Sequence, residues 1–250
     1  MASHSVSDSQ LSQIVLRAPN YFYVPRNYDL SPEYERGWGV REMMPTNSVG
    51  IVTSRDQLAV HFSKNAAKDV VSRLANLGQD RARNELEIGP DSKDWTLSAV
   101  REDLRKNELR DELFVRLAYR PFDTRWTFYT GVSAGFHGRP RREVMQHMLP
   151  QNIGLLTSRM TKGEEFSHAF VTTYISEKIF LSPKTSNNSF HFPLYLYDVA
   201  GGFAFGSHRE PNFAPEFLRK LASTLNLSQA KPHNLPQGLT GEDIFHYAYA

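Results

Sequence analysis

The segment Gly50-Ile51-Val52-Thr53-Ser54-Arg55 returns later in the chain as Gly154-Leu155-Leu156-Thr157-Ser158-Arg159. In both copies a glycine precedes two aliphatic residues, a Thr-Ser pair and an arginine, and an asparagine lies just upstream, at Asn47 and at Asn152. A short aliphatic run that ends in small polar residues is typical of a buried strand. The repeat therefore predicts two strands that each bring a hydroxyl pair and an arginine to the surface, one in each of two pseudo-repeated lobes.

The side chains at the ends of these strands suit nucleic acid. Serine and threonine hydroxyls bond to phosphate oxygens and to bases of either type, and arginine grips guanine bidentately or binds a phosphate. The repeat thus predicts DNA contacts at Thr53, Ser54, Arg55, Thr157, Ser158 and Arg159. A second explanation stays open, because duplicated strands can share core packing while Ser and Thr end them through local backbone hydrogen bonds.

The remaining pattern indicates an α+β fold, with short-stranded mixed sheets and amphipathic helices. Apolar periodicity predicts helices over 65–77, over 97–117 and from Pro215, and the capping-box spacing of Thr240 and Asp243 starts another. Short β-rich runs predict strands at 49–53, 58–62, 126–129, 153–157, 169–173, 178–181 and 194–197.

The length of 250 residues allows one large domain or two tightly packed lobes. If there are two, they cover 21–118 and 119–228, after a disordered leader over 1–20. Residues 229–250 then form a linker and the start of a helix that a longer natural protein would continue.

Bulk composition excludes several classes of protein. The chain is 40% hydrophobic and has no cysteine, which excludes disulfides, thiolate metal sites and a cysteine nucleophile. No apolar run reaches the roughly 18 residues of a membrane span, and the polar start lacks the order of a secretory signal. We therefore expect a soluble, cytoplasmic protein without a membrane partner.

Positive charge is concentrated between Gly131 and Gly163, although the net charge is only +2. Three arginines follow a glycine-rich loop at the predicted start of a helix near Pro140, where backbone amides attract anions. This predicts phosphate contacts at Arg139, Arg141 and Arg142, and Lys162 in the same basic stretch is a further predicted DNA contact. The alternative is that these cations pair with local carboxylates such as Glu143.

The segment Tyr119-Arg120-Pro121-Phe122-Asp123-Thr124-Arg125-Trp126 places one carboxylate between two guanidinium groups. A carboxylate clamped by arginine stays ionised and is a poor general base at neutral pH. We therefore predict a structural pair of Arg120 with Asp123 and no catalytic residue here, while Arg125 could still reach DNA.

These segments, in this order, resemble the C-terminal specificity domain of Type ISP restriction-modification enzymes and related adenine-N6 DNA methyltransferases. The resemblance rests first on the Tyr-Arg-Pro-Phe-Asp-x-Arg signature at 119–125. It extends over the segments 50–56, 139–147, 152–159, 192–197 and 244–250.

The resemblance implies recognition of a short double-stranded DNA target on behalf of methyltransferase and helicase-nuclease domains of the same or a partner polypeptide. S-adenosylmethionine, ATP and Mg would bind to those domains, and the parent protein would be an adenine-N6 DNA methyltransferase or restriction enzyme. This chain has no Asn-Pro-Pro-Tyr methylation motif and no phosphate-binding loop, so we expect it to hold no cofactor or metal and not to be an enzyme by itself.

Two other functions stay open. Scattered histidines and acids could gather into the metal site of a hydrolase or nuclease, although no ligand spacing indicates one. The aromatic tracts 21–23 and 190–197 could form a protein-interaction surface, but we expect them to belong to the core.

Overall fold

A computed structural model describes residues 13–18, 21, 23, 27–160, 167–182, 184, 187–198 and 208–250. The chain divides into two compact units, Met1–Gly39 and Val40–Ala250. In the first unit the side chain of Asn27 caps a 3-10 turn, Tyr28–Leu30, which leads into helix α1, Ser31–Tyr34. Residues 1–12, 19 and 20 of the predicted leader lie outside the described residues.

The helices of the second unit are short, and most have one buried face. They are α2 (Val40–Met43), α3 (Asp56–Ala59), α4 (Lys64–Asn76), α5 (Gln79–Glu85), α6 (Leu97–Asn107), α7 (Arg142–Met145), α8 (Pro215–Leu225) and α9 (Gly241–Tyr249). Two 3-10 segments occupy Asp111–Leu113 and Gln146–Met148. Among the described residues, no helix is both long and apolar enough to cross a bilayer.

The strands are β1 (Ser48–Val49), β2 (Phe114–Arg120), β3 (Asp123–Phe128), β4 (Gly154–Thr157), β5 (Ala169–Thr172), β6 (Ile175–Ser176), β7 (Phe190–Pro193), β8 (Tyr195–Tyr197) and β9 (Arg209–Pro211). They form sheets in the orders β1-β7-β4-β5, β3-β2-β6 and β8-β9. All pairs are antiparallel except β2 with β6. The fold is therefore α+β with mixed short-stranded sheets, as the sequence predicts.

Two large clusters of buried apolar side chains hold these elements together. The first joins α4, α5 and α6 to the β2-β3 hairpin and includes Leu74, Trp95, Leu97 and Phe128. The second joins β4, β7 and β8 to α8 and α9 and includes Met44, Phe192, Leu194 and Phe245. The aromatic tract 190–197 contributes to this second core, whereas Tyr21 and Tyr23 of the other tract are 54% and 80% exposed, so the expectation of core packing is wrong for these two.

Local signals predicted several elements correctly. Helices α4 and α8 and strands β3, β4, β5 and β8 lie where periodicity placed them, within a few residues. The capping box of α9 is present, since Thr240 Oγ1 accepts from Asp243 N and Asp243 Oδ2 accepts from Thr240 N.

Three of the predicted elements are wrong. The helix predicted over 97–117 ends at Asn107, because the chain from Phe114 pairs with β3. Leu113 packs into the first cluster, whereas Leu117 packs into a separate, smaller one with Ile51 and Tyr129. The strand predicted over 58–62 begins as helix α3. The run 178–181 is a turn, and the strand lies just before it, at β6.

The two copies of the repeat are not structurally equivalent: the second copy forms β4 beside β7, whereas only the two residues before the first copy, β1, pair with the other side of β7. Strands β1 and β4 pair antiparallel with opposite sides of β7, so they run parallel to each other. Val49 and Thr157 face the same residue, Phe190, so the first copy begins where the second ends. After Gly50 the first copy leaves this sheet, and Ile51 N donates to Ser176 O at 2.8 Å. The division into pseudo-repeated lobes stays a prediction.

The glycines of the repeat are buried for two different reasons. A Cβ on Gly50 would lie 2.4 Å from the carbonyl carbon of Glu177. A Cβ on Gly154 would lie 2.2 Å from Nε2 of His191, whose Nδ1 is 2.8 Å from Ser176 Oγ. Each glycine thus permits a close approach, but to a backbone in one case and to a histidine ring in the other.

Candidate nucleic-acid interface

The end of β4 presents the second Thr-Ser-Arg segment at the surface. Leu155 and Leu156 are buried between β5 and β7, and the hydroxyl of Ser158 donates to Met160 O at 2.6 Å and accepts from Met160 N at 3.3 Å. Ser158 therefore ends the strand through local backbone bonds, which is the alternative that the sequence left open. Beyond it, Arg159 is exposed.

Arg159 shares an aromatic ring with a second arginine. The guanidinium carbons of Arg159 and of Arg41, on α2, each lie 5.8 Å from the ring centre of Phe190. Both arginines are exposed, and among the described residues no carboxylate forms an ion pair with either. We call Arg41, Phe190 and Arg159 the strand-end arginine cluster. It presents two positive charges that an anion would neutralise.

Sequence reasoning missed Arg41 and Phe190 as members of this cluster. Each lies far from Arg159 in sequence, and only the pairing of β7 with β4 brings Phe190 beside Thr157. No local motif signals such a contact.

The first Thr-Ser-Arg segment lies in a different environment. Thr53 is buried and its hydroxyl donates to Asp56, whose other carboxylate oxygen accepts from Tyr119 OH at 2.7 Å. Ser54 has a φ of +65°, and a Cβ on Gly138 would collide with its hydroxyl. The hydroxyl pair is thus built into the loop that precedes α3.

Arg55 is engaged by the chain itself. Its guanidinium donates to Pro90 O at 2.5 Å and to Ser54 O at 2.9 Å, and lies 4.9 Å from the ring centre of buried Trp95. Arg55 and Arg159 therefore do not form a matched pair of exposed side chains. A DNA contact by Arg55, which stays a prediction, would require these carbonyl bonds to be exchanged.

The loop from Gly131 to Arg139, which we call the basic loop, is anchored by a buried carboxylate. Asp103 is 3% exposed, and its Oδ2 accepts from Phe136 N at 2.7 Å and from Thr130 Oγ1 at 2.8 Å. Burial raises the pKa of Asp103, while these hydrogen bonds oppose the shift. The loop from Gly131 to Arg139 is thereby fixed to α6.

The predicted helix behind this loop is much shorter than the pattern indicated. α7 has four residues, and Arg141, at its N-terminal boundary, has a φ of +53°. Such a short helix has little dipole and gives the predicted anion site little support, so the phosphate contacts of Arg141 and Arg142 stay predictions. Arg139 forms an ion pair with Asp94, its Nε lying 3.0 Å from the carboxylate, rather than with Glu143. Lys162 lies outside the described residues.

The β2-β3 hairpin contains two ion pairs, and neither is the predicted one. Arg120 donates to Glu177 at 2.7 Å, and Arg125 binds Asp123 with two bonds of 2.5 and 2.7 Å. The predicted Arg120–Asp123 pair is therefore wrong: Arg120 bonds the buried Glu177, which approaches from the turn after β6, and Asp123 bonds the residue two positions along its own strand.

The electrostatic settings of these pairs differ. The hydrogen bond from Arg125 lowers the pKa of Asp123, whereas burial raises the pKa of Glu177 despite Arg120. The Arg125 guanidinium also lies 3.4 Å from the ring centre of Phe62, which is 82% exposed.

The histidines are separated rather than gathered. His137 is bonded to Thr127 Oγ1, His191 to Ser176 Oγ, and His147 Nδ1 accepts from Tyr197 N. Burial lowers the pKa of His137 and of His191 to about 3. Within the described parts of the chain, no three histidine or acidic side chains lie together in a way that could hold a metal ion.

Comparison with known families identifies the chain. A sequence profile described as the Type ISP C-terminal specificity domain matches residues 42–250. The chain belongs to this family, which confirms the resemblance drawn from its motifs. No protein among curated sequences matches it.

Solved structures share the fold at low sequence identity. A DrdV–DNA complex matches with a TM-score of 0.56 and 17% identity, over 83% of this chain and 19% of that one. The ATP-dependent Type ISP restriction-modification enzyme LlaBIII bound to DNA matches with 0.54 and 18%, over 84% and 13%. A nuclease-deletion mutant of the Type ISP enzyme LlaGI with a DNA substrate mimic matches with 0.50 and 16%, over 85% and 21%. This chain thus spans between 13% and 21% of those chains.

Proposed function

We propose that this chain recognises a specific double-stranded DNA sequence and that the end of β4 is its principal contact. Membership of a specificity-domain family supports the function. One observation supports the site: Arg159 and Arg41 project beside Phe190 with no carboxylate partner among the described residues. Two such cations repel weakly in water, by a few tenths of a kcal/mol at separations of about 10 Å, and a phosphate would make the arrangement favourable.

Within this surface we assign different roles to the two arginines. Arg159 follows the strand end and, with Thr157 and Ser158 nearby, suits contact with a base edge. Arg41 approaches the same ring from α2 and suits a phosphate. Phe190 holds both guanidiniums by cation–π contact and so limits the rotamer freedom that binding would otherwise remove.

The other predicted cations are assigned secondary roles. Arg139 and Arg125 are neutralised by Asp94 and Asp123, so contact with a phosphate would require exchange of an existing ion pair. We propose that they shape the surface. Arg141, Arg142 and Lys162 remain candidates for phosphate contact near the basic loop.

The chain would serve as the target-choosing part of a larger cytoplasmic polypeptide. In this proposal, methyltransferase and helicase-nuclease domains perform the chemistry, with S-adenosylmethionine, ATP and Mg bound there. This chain aligns with only 13% to 21% of the length of the related chains, which supports such an arrangement. No arrangement of described residues favours a hydrolase.

A selection from a random duplex pool tests the function. The purified chain is incubated with random-sequence DNA at low salt, and bound duplexes are recovered, amplified and sequenced over several rounds. We expect enrichment of one short asymmetric sequence that then binds more tightly than its scrambled version. Failure to enrich any sequence, together with no binding at low salt, would refute the proposal.

A further inference from the structure

The tip of the β2-β3 hairpin displays an aromatic ring that is almost wholly exposed to solvent. Phe122 is 98% exposed and has a φ of +62°. Pro121 followed by a residue of positive φ is the pattern of a type II turn, where glycine or asparagine is favoured. A bulky side chain strains this backbone and here leaves almost its whole apolar surface in water. Phe122 thus combines two costs to folding.

The turn beneath this ring is held firmly. Arg120 and Asp123, the paired residues on either side of the turn, are each tied by an ion pair, to Glu177 and to Arg125 respectively. The guanidinium of Arg120 also lies 3.8 Å from the ring centre of Tyr119. A ring on such an anchored tip loses little freedom when it contacts a partner.

The tip of the hairpin lies at the end of the four-stranded sheet where β4 ends. The Phe122 ring centre lies 5.9 Å from that of Phe170 on β5, in an edge-to-face arrangement. Phe170 pairs with Leu156 on β4. The side chains of Phe170 and Leu156 lie on one face of this sheet, and those of Thr157 and Phe190 lie on the other. Phe122 and the strand-end arginine cluster are therefore at the same end of the sheet on opposite faces, where a duplex that crosses this end would meet both.

We propose that Phe122 is a wedge that enters a base-pair step of the target duplex and unstacks it while Arg159 contacts the same duplex from the other face of the sheet. Apolar side chains that insert in this way kink DNA and allow more protein surface to contact it. The inference rests on the proposed DNA-binding function and adds a deformation step to it.

The test uses the duplex selected by the wild-type chain, with 2-aminopurine placed at successive positions, since this base brightens when it is unstacked. We expect a several-fold rise in fluorescence at one step with wild type and none with Phe122→Asn. Affinity should fall about tenfold, within the range measured for removal of an aromatic–base contact. Phe122→Leu should retain part of the rise, and Tyr247→Ala, at another exposed aromatic, should behave as wild type.

Thermal unfolding separates a wedge from a structural residue. Because asparagine tolerates positive φ, Phe122→Asn should unfold at the same temperature as wild type or higher. A lower unfolding temperature, or unchanged fluorescence and affinity in Phe122→Asn, would overturn the wedge while leaving DNA recognition intact. Absence of duplex binding by the wild-type chain would instead overturn the proposed function, and the wedge with it.

Discussion

Alanine at the two glycines of the repeat gives a direct test of how the repeat is built. The Cβ of Gly50→Ala would lie 2.4 Å from a backbone carbon of Glu177, and that of Gly154→Ala 2.2 Å from the imidazole of His191. Normal contacts between such atoms are about 3.5–4.0 Å, so more than an ångström of displacement is needed. Overpacking of this kind costs about 1–3 kcal/mol. We expect the Gly50 variant to be nearer the upper value, because a backbone yields less readily than a ring.

The assay is urea and thermal unfolding followed by circular dichroism. Each kcal/mol should lower Tm by about 2–4 °C for a chain of this size. Gly89→Ala is the matched control, because nothing lies within 4 Å of its Cβ, and it should change stability by less than about 0.5 kcal/mol.

A double-mutant cycle assigns the cause. Removal of the ring by His191→Ala should reduce the cost of Gly154→Ala but leave that of Gly50→Ala unchanged. If both alanines were tolerated like Gly89→Ala, or if His191→Ala relieved both, the packing argument would be refuted.

Two further predictions concern charge. His137 and His191 stay neutral in the fold because their pKa values are lowered to about 3, so the unfolded chain takes up their protons first. The contribution of each histidine to the free energy of unfolding is therefore complete above a pH of about 6.5. Below that pH it falls by about 1.4 kcal/mol per histidine for each pH unit. His137→Gln should remove about half of this histidine contribution relative to the exposed control His233→Gln, and equal slopes for these two variants between pH 6 and pH 5 would disprove it. Arg139→Ala should cost less than about 1 kcal/mol in urea unfolding, because its ion pair with Asp94 is exposed, and a larger loss would mean that the pair anchors the loop.

Local sequence signals predicted those elements whose ends are set by neighbouring residues. α8 begins at Pro215, and α9 has its capping box, because both signals act within one turn of helix. Leucine spacing failed across Asn107, where the helix stops, because the same four-residue interval can continue on a strand that a distant partner stabilises. Tertiary pairing of β2 with β3 decided that case.

The surroundings of the candidate site residues were predicted less completely than the fold. The Thr-Ser-Arg repeat predicted an arginine at the surface in both copies. Arg159 is exposed, as predicted, whereas Arg55 contacts Pro90 and Trp95. The ion pair of Arg120 with Glu177 and the contact of Arg41 with Phe190 both join residues that are far apart in sequence. The charge and spacing of neighbouring residues do not predict such long-range contacts.

The most direct test of the strand-end arginine cluster is binding to the selected and the scrambled duplex across salt concentrations. We predict that Arg159→Ala weakens binding to the selected duplex by about tenfold, the typical value of a bidentate base contact, and reduces its preference over the scrambled one. Arg41→Ala should weaken both duplexes alike and reduce the slope of log K against log salt by about 0.9. Arg219→Ala, at an exposed arginine paired with Glu216 on α8, is the control. Unchanged affinity and unchanged preference of Arg159→Ala at every salt concentration would contradict the account.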